Sequence, residues 1–234
     1  MPRSLRFSQA AYQSRSATAL LEPLICLVNI VVASWLYPAW RTTRIHWEPD
    51  VRELIHLFKA RSRPIICFAW HKYELIGACV FKDFPNHLIP VAIGHDGFWS
   101  RALQQTSVWY HMPMWVYRRK SPIKPKAQLI NLLRTEKTII GLFPDSGGPD
   151  GQIRNGFVEV ARSTEALLIP MVWHAKPVFT PGGKRCYCFP VPFSEVTAVY
   201  GKPMDGNCVT PDDCRQALEQ LENHKHFNFE KPYG

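Results

Sequence analysis

Residues 138–172 read TIIGLFPDSGGPDGQIRNGFVEVARSTEALLIPMV, and their order decides the fold. Thr138–Phe143 is a short, unbroken apolar run stopped by Pro144, the pattern of a strand covered on both faces. A glycine-rich turn follows, then a helix over Gly156–Ser163. Ala166–Trp173 is a second apolar strand. Strand, helix and strand in succession build a largely parallel sheet.

The same alternation extends in both directions. Val51, Leu54, Ile55, Leu57 and Phe58 recur at helical spacing within Pro49–Arg61. Pro64–Trp70 reads as a short strand, with a helix after His71 running to about Phe81. Leu88–Ile93 and Met114–Tyr117 read as strands, and Phe98–Thr106 and Lys124–Arg134 as helices. Two further strands, near Arg185–Phe189 and Val196–Tyr200, close the sheet. Thr210 is placed to cap the final helix, with Pro211 at its first position and Asp212 and Asp213 at the positive end of its dipole. The expected fold is α/β: a single domain with a mostly parallel central sheet flanked by helices, preceded by an N-terminal apolar membrane-associated helix. Ligands of such sheets bind beyond the carboxyl ends of the strands. His71, Asp96, Arg118 and Asp145 each follow a predicted strand end, which places them at one shared site.

The chain has 234 residues, enough for one such domain with a sizeable core, and 46% of them are hydrophobic. Its net charge of +9 calls for an acidic partner. Basic residues are interleaved with Trp, Tyr and Leu and form no nucleic-acid-binding signature, so an anionic membrane surface or a phosphorylated substrate fits and nucleic acid does not. The seven cysteines form an odd set without C-x-x-C spacing. They suit a reducing compartment, as buried thiols, better than a disulfide framework. Cys186 and Cys188 share one face if they lie on a strand, but two ligands do not make a metal site; no metal is expected.

Residues 1–18 are polar, and Pro23–Tyr37 is almost wholly apolar, closed by Trp35, Tyr37 and Trp40 before Arg41 and Arg44. Fifteen helical residues rise roughly 22 Å, short of the ~30 Å hydrocarbon core. An aromatic and arginine cluster at one end fits a helix that enters one leaflet or lies in the interface. A signal peptide cleaved near Val31-Val32-Ala33 and a buried core helix are the competing readings. The expected division is 1–44 as polar lead and membrane-anchoring helix, and 45–234 as the catalytic domain.

Two segments carry the chemistry. His71, with Glu74 three residues on, suits proton abstraction from a hydroxyl, because imidazole titrates near neutrality and positions three apart share a helix face. Asp96 is the alternative carboxylate. The turn Asp145-Ser146-Gly147-Gly148, followed by Arg154 and Gly156 at a helix start, suits an anionic group. It lacks the spacing of a nucleotide-binding P-loop. Together these point to an enzyme acting on a phosphate-bearing alcohol.

Four blocks in order resemble the lysophospholipid acyltransferase superfamily, which includes glycerol-phosphate and lysophosphatidate acyltransferases, and within it a bacterial branch related to lipid A acyltransferases. The resemblance covers roughly residues 40–205. His71 stands where the family has a histidine followed after four residues by Asp or Glu; here Glu74 follows after two, and Ile76 holds the usual slot. Trp115-Val116-Tyr117-Arg118-Arg119 resembles the second block. Phe143-Pro144-Asp145-Ser146-Gly147 resembles Phe-Pro-Glu-Gly, with Asp for Glu and Gly148 where a basic residue is common. Leu168-Ile169-Pro170-Met171-Val172 resembles the fourth.

The resemblance implies transfer of an acyl group from an acyl-CoA or acyl carrier protein thioester to a lipid hydroxyl, with no cofactor beyond that co-substrate. His71 would be the general base, Glu74 or Asp96 its carboxylate partner, and Arg118 and Arg119 the grip on the acceptor phosphate. Asp145 suits an ordering role, holding an arginine or backbone amides. Trp173, His174 and Phe179 are candidates for an acyl groove or for buried aromatics. Attachment at the cytoplasmic face of the inner or plasma membrane is the implied location. A saccharide-lipid acyltransferase and a non-catalytic anionic-lipid-binding protein are the alternatives.

Overall fold

The computed structural model describes residues 22–60, 62–82, 84–85, 88–95, 114–117, 123–136, 138–145, 151–180 and 188–223. Elements are numbered along these residues. Helix α1 (Glu22–Thr42) is followed by β1 (Arg44–Glu48), α2 (Val51–Lys59) and β2 (Ile65–Phe68). A single 3-10 turn, His71–Tyr73, leads into α3 (Glu74–Val80). Then come β3 (Val91–His95), β4 (Met114–Tyr117), α4 (Pro125–Glu136), β5 (Ile139–Leu142) and α5 (Asn155–Thr164). The described residues finish through β6 (Leu167–Phe179), β7 (Phe189–Tyr200), β8 (Met204–Asp205) and α6 (Pro211–Glu222).

The eight strands of the described residues form one sheet in the order β1-β7-β6-β2-β5-β3-β4, with β8 beside β6. Strands β6, β2, β5, β3 and β4 run parallel, so their carboxyl ends share one edge. All four residues of β2 are buried, which explains their unbroken apolar character: both faces of a central parallel strand are covered. Phe58, Phe68, Ile66, Leu133, Leu168 and Ile169 fill the core around it. The expected α/β domain with a mostly parallel sheet is therefore the observed one.

The expectations fail where long-range pairing overrides local pattern. Of the strand expected near Arg185–Phe189, residues 185–187 lie outside the described set; the strand expected near Val196–Tyr200 is β7, which starts earlier, at Phe189, and runs through Pro190 and Pro192. It pairs antiparallel with β6, which extends to Phe179, six residues past the expected Trp173. The prolines that signal a break sit where the ladder is irregular, its register shifting between Lys176 and Val178. Strand β1 was not expected at all; it pairs parallel with β7, and Trp47 packs against Phe81, Phe84 and Tyr200. The helix expected at Phe98–Thr106 lies outside the described residues.

Helix α1 runs past the aromatic cluster to Thr42, with Pro38 inside it. Its C-terminal half packs on the domain. Leu36 and Ala39 are buried, Trp35 Nε1 donates to the Pro190 carbonyl at 3.1 Å, and the Phe193 amide donates to Thr42 Oγ1 at 2.7 Å. Leu27, Ile30 and Val31, further toward the N-terminus, are exposed. Among the described residues no helix is long and apolar enough to cross a membrane.

Helix α6 starts as its sequence demands. Thr210 Oγ1 accepts from the Asp213 amide and Asp213 Oδ2 accepts from the Thr210 amide, a reciprocal capping box with Pro211 inside it. Before it, Gly206 lets β8 close against α5: a Cβ there would stand 2.6 Å from the Ala166 carbonyl oxygen and 3.0 Å from that of Ala161. Backbone oxygens cannot swing aside as a side chain can. Gly206→Ala is therefore expected to destabilise the fold by about 1–3 kcal/mol, read as a lower urea midpoint with an unchanged slope; an unaltered midpoint would contradict this packing.

Candidate active site

Strands β2 and β5 lie side by side, with Phe68 opposite Leu142. The chain leaving β2 and the chain leaving β5 therefore emerge together at the carboxyl edge. The first carries His71 and the second carries Phe143, Pro144 and Asp145. Asp145 is only 1% exposed, and its Oδ1 accepts the His71 backbone N–H at 2.9 Å. The first amide of a 3-10 turn has no partner inside the turn, so a carboxylate from the neighbouring strand exit caps it. The Phe143 ring stacks on the imidazole, with centroids 5.4 Å apart and planes 17° from parallel.

Glu74 completes the arrangement: its Oε2 lies 3.1 Å from His71 Nε2. The shortened spacing works because side chains at i and i+3 eclipse in a 3-10 turn. Both side chains are partly covered, at 20% and 27% exposure. Burial alone pushes the His71 pKa down, but the hydrogen bond and charge of Glu74 and the charge of Asp145 outweigh it. The net shift is upward from 6.5. Two carboxylates thus serve one histidine by different routes, one through its ring and one through its backbone.

The start of α5 reaches the same edge. The Arg154 amide donates to the Pro144 carbonyl at 3.1 Å, so the residue next to Asp145 holds the N-cap of this helix. The Arg154 side chain is exposed, with Nη1 3.4 Å from Gln152 Oε1. Above Gly156 the space is open, with no atom within 4 Å of a Cβ built there. His71 and the helix start bearing Arg154 and Gly156 are therefore bridged by two consecutive residues, Pro144 and Asp145. Asp145, expected among the substrate contacts, is buried against the histidine turn.

Asp96, Arg118, Arg119, Ser146, Gly147 and Gly148 lie outside the described residues. The strands that precede the first three end at His95 and Tyr117 on the edge that also carries His71. Among the described residues no group of three or more His, Cys, Asp or Glu side chains is placed to hold a metal ion. Cys79 and Cys214 are buried, and loss of solvation pushes both thiols up to about 12.

The aromatic candidates separate. Trp173 is buried, and its Nε1 donates to the Tyr73 carbonyl at 2.7 Å, so it braces the histidine turn. A Cβ on Gly77 would come within 2.9 Å of the same indole, so α3, the helix that carries Glu74, is seated directly on Trp173. His174 is held neutral, pushed down to about 4 by burial and then by the charges of Lys176 and Lys72. Phe179 is exposed. The sequence reading missed Phe143 as a partner of His71 and the role of Trp173. Phe143 had only an indirect signal, the apolar strand it follows; that this strand lies beside β2 is seen in the structure alone. Trp173 had none, being 100 residues from Tyr73.

No protein-family model matches the chain, and no curated protein matches it. Among solved structures, the fold is similar to that of the 1-acyl-sn-glycerophosphate (LPA) acyltransferase PlsC from Thermotoga maritima. The two are 15% identical with a TM-score of 0.48, over 86% of this chain and 78% of that chain. A likeness of that extent does not fix a shared activity.

The raised His71 pKa has a definite sign in stability. The His71–Glu74 pair contributes stability that is fully present below the ordinary value of 6.5 and is lost as pH rises through the raised folded value. Glu74→Gln removes the charge that holds the proton. It is expected to lower the His71 midpoint in an NMR titration and to flatten the pH dependence of unfolding over that window; a midpoint that stays raised would show that Glu74 is not the cause.

Proposed function

We propose that this protein is a membrane-associated O-acyltransferase, moving a fatty acyl group from an acyl-CoA or acyl carrier protein thioester to a hydroxyl of a phosphate-bearing lysolipid. The observation that carries the reading is the His71–Glu74 pair, set on an Asp145-capped turn at the carboxyl edge of a parallel sheet. The order of the four sequence blocks adds to it.

In this reading Nε2–H is given to Glu74, which leaves the basic lone pair on Nδ1. Nδ1 is shielded from solvent, so an acceptor reaching it displaces atoms that cover it here. Nδ1 takes the hydroxyl proton as the acceptor oxygen bonds to the thioester carbonyl carbon. The tetrahedral intermediate collapses with cleavage of the C–S bond, and the imidazolium returns its proton to the departing thiolate. Glu74 stabilises the imidazolium between these steps. The acceptor phosphate would meet Arg118 and Arg119 after β4, and Arg154 and the amides at the start of α5. A protein binding the lipid without turnover would use the same cationic groups but would have no need of the Glu74 contact.

The membrane contact would be made by the exposed apolar residues of α1 together with Phe179 and Phe193. Phe193 is 78% exposed and holds a positive φ of 63°, a conformation that a bulky residue adopts only under constraint. Trp35 lies against Phe179, which links the two surfaces. The net charge of +9 favours anionic headgroups, on the cytoplasmic face of the inner or plasma membrane.

His71→Ala should lower transfer from radiolabelled acyl-CoA or acyl carrier protein to lysophosphatidate on the order of 10²–10⁴-fold, with folding and vesicle binding intact. Turnover within a few-fold of the parent would remove His71 from the mechanism. Replacing Leu27, Ile30 and Val31 together by Ser should weaken flotation with anionic vesicles while leaving the circular dichroism of the folded chain unchanged; undiminished flotation would move the membrane contact elsewhere.

A further inference from the structure

We infer that Glu222, in the last turn of α6, is a positioning residue that sets the direction in which His71 projects, acting through Lys72 and Tyr73. The inference rests on the reading of His71 as the base. Glu222 Oε1 accepts the Tyr73 hydroxyl at 2.7 Å and lies 2.7 Å from Lys72 Nζ. Lys72 Nζ also sits 4.8 Å from the centre of the Tyr73 ring. One carboxylate oxygen thus gathers the side chains of both residues that follow the histidine.

The backbone of the same two residues is held from other elements. The Cys188 amide, just before β7, donates to the Lys72 carbonyl at 2.7 Å, and Trp173 Nε1 on β6 donates to the Tyr73 carbonyl at 2.7 Å. In a 3-10 turn successive side chains project about 120° apart. Fixing the second and third residues therefore fixes the bearing of the first. Glu74 and Phe143 touch the imidazole itself and Asp145 holds the His71 amide, so the contacts at Lys72 and Tyr73 orient the rest of the turn.

Glu222 has a second consequence, which is electrostatic. The Lys72 and Glu222 side chains are 27% and 26% exposed, so their charges are only partly screened. Lys72 is adjacent to the histidine in sequence, and its ammonium, if unpaired, would oppose a positive charge on the ring. The Glu222 carboxylate offsets it. Tyr73 stays protonated and able to donate, since burial first and Glu222 second push its pKa well above the ordinary value.

Purified Glu222→Ala, Glu222→Gln and Tyr73→Phe chains should be compared with the parent in acyl transfer from thioester to lysophosphatidate in mixed micelles. The His71 ring is followed in parallel by NMR titration. Glu222→Ala is expected to lower kcat on the order of tenfold to a hundredfold, as small misplacements of a reacting group do, with KM within about twofold. It should also move the His71 midpoint downward, because Lys72 loses its counter-charge. Glu222→Gln keeps an oxygen for the Tyr73 hydroxyl and is expected to recover part of the lost kcat without restoring the midpoint. Leu218→Ala, a buried change on the same helix away from the turn, controls for loss of stability and should leave both readouts of the folded fraction unchanged. A Glu222→Ala chain with parental kcat and an unmoved midpoint would overturn the inference. If His71→Ala itself retains turnover, the base assignment fails, whereas the NMR midpoint still judges the Glu222 contact.

Discussion

The hydrogen bond from the His71 amide to the buried Asp145 carboxylate holds the site to the fold. It joins the exits of two neighbouring parallel strands, β2 and β5, at the level where the sheet ends and the loops begin. A carboxylate 1% exposed would be costly if left without donors. The amide of a 3-10 turn would be costly on the same terms. Each meets part of the other's demand, so the turn bearing the histidine is seated on the strand exits. Pro144, one residue earlier, ties in the start of α5 through the Arg154 amide. Two adjacent residues therefore set the relation between a basic nitrogen and a helix N-terminus.

The ring is tuned by a contest between burial and charge. Partial burial disfavours imidazolium, yet Glu74 at 3.1 Å and Asp145 at the backbone favour it more strongly. A base raised in this way keeps its proton to higher pH and returns it less readily. Glu74 thus favours the charged intermediate over the resting ring, the sense required if imidazolium forms during reaction. Lys72, the next residue along the chain, is paired with Glu222.

Several elements were readable from local pattern because their causes are local. The unbroken apolar run of β2, the strand–turn–helix–strand of residues 138–172 and the Thr210–Pro211–Asp213 cap each reflect neighbours a few residues apart. Their number and alternation were enough to imply a parallel sheet with its site at the carboxyl edge. Glu74 was likewise legible as a partner of His71, since three residues bring two side chains onto one face. Strand β1 was missed although Arg44-Ile45-His46-Trp47-Glu48 alternates polar and apolar: five residues between a helix and a proline are a short signal, and the partner that makes them a strand, β7, lies some 150 residues on. The early start of β7 was missed for the complementary reason. Pro190 and Pro192 carry a local signal to stop, and the long antiparallel pairing with β6 overrides it.

By itself, the sequence determined which segments are the covered strands of a parallel sheet, where the final helix begins, and that a histidine and a carboxylate three residues on share one face. Those outcomes depend on periodicity and on side chains reaching their own backbone. Only the tertiary structure decided that Asp145 serves the His71 amide, that Phe143 stacks on the ring, that α1 docks along β7, and that Glu222 gathers Lys72 and Tyr73. Each of these joins groups separated by many tens of residues, and chain folding alone brings such groups within hydrogen-bonding or van der Waals range.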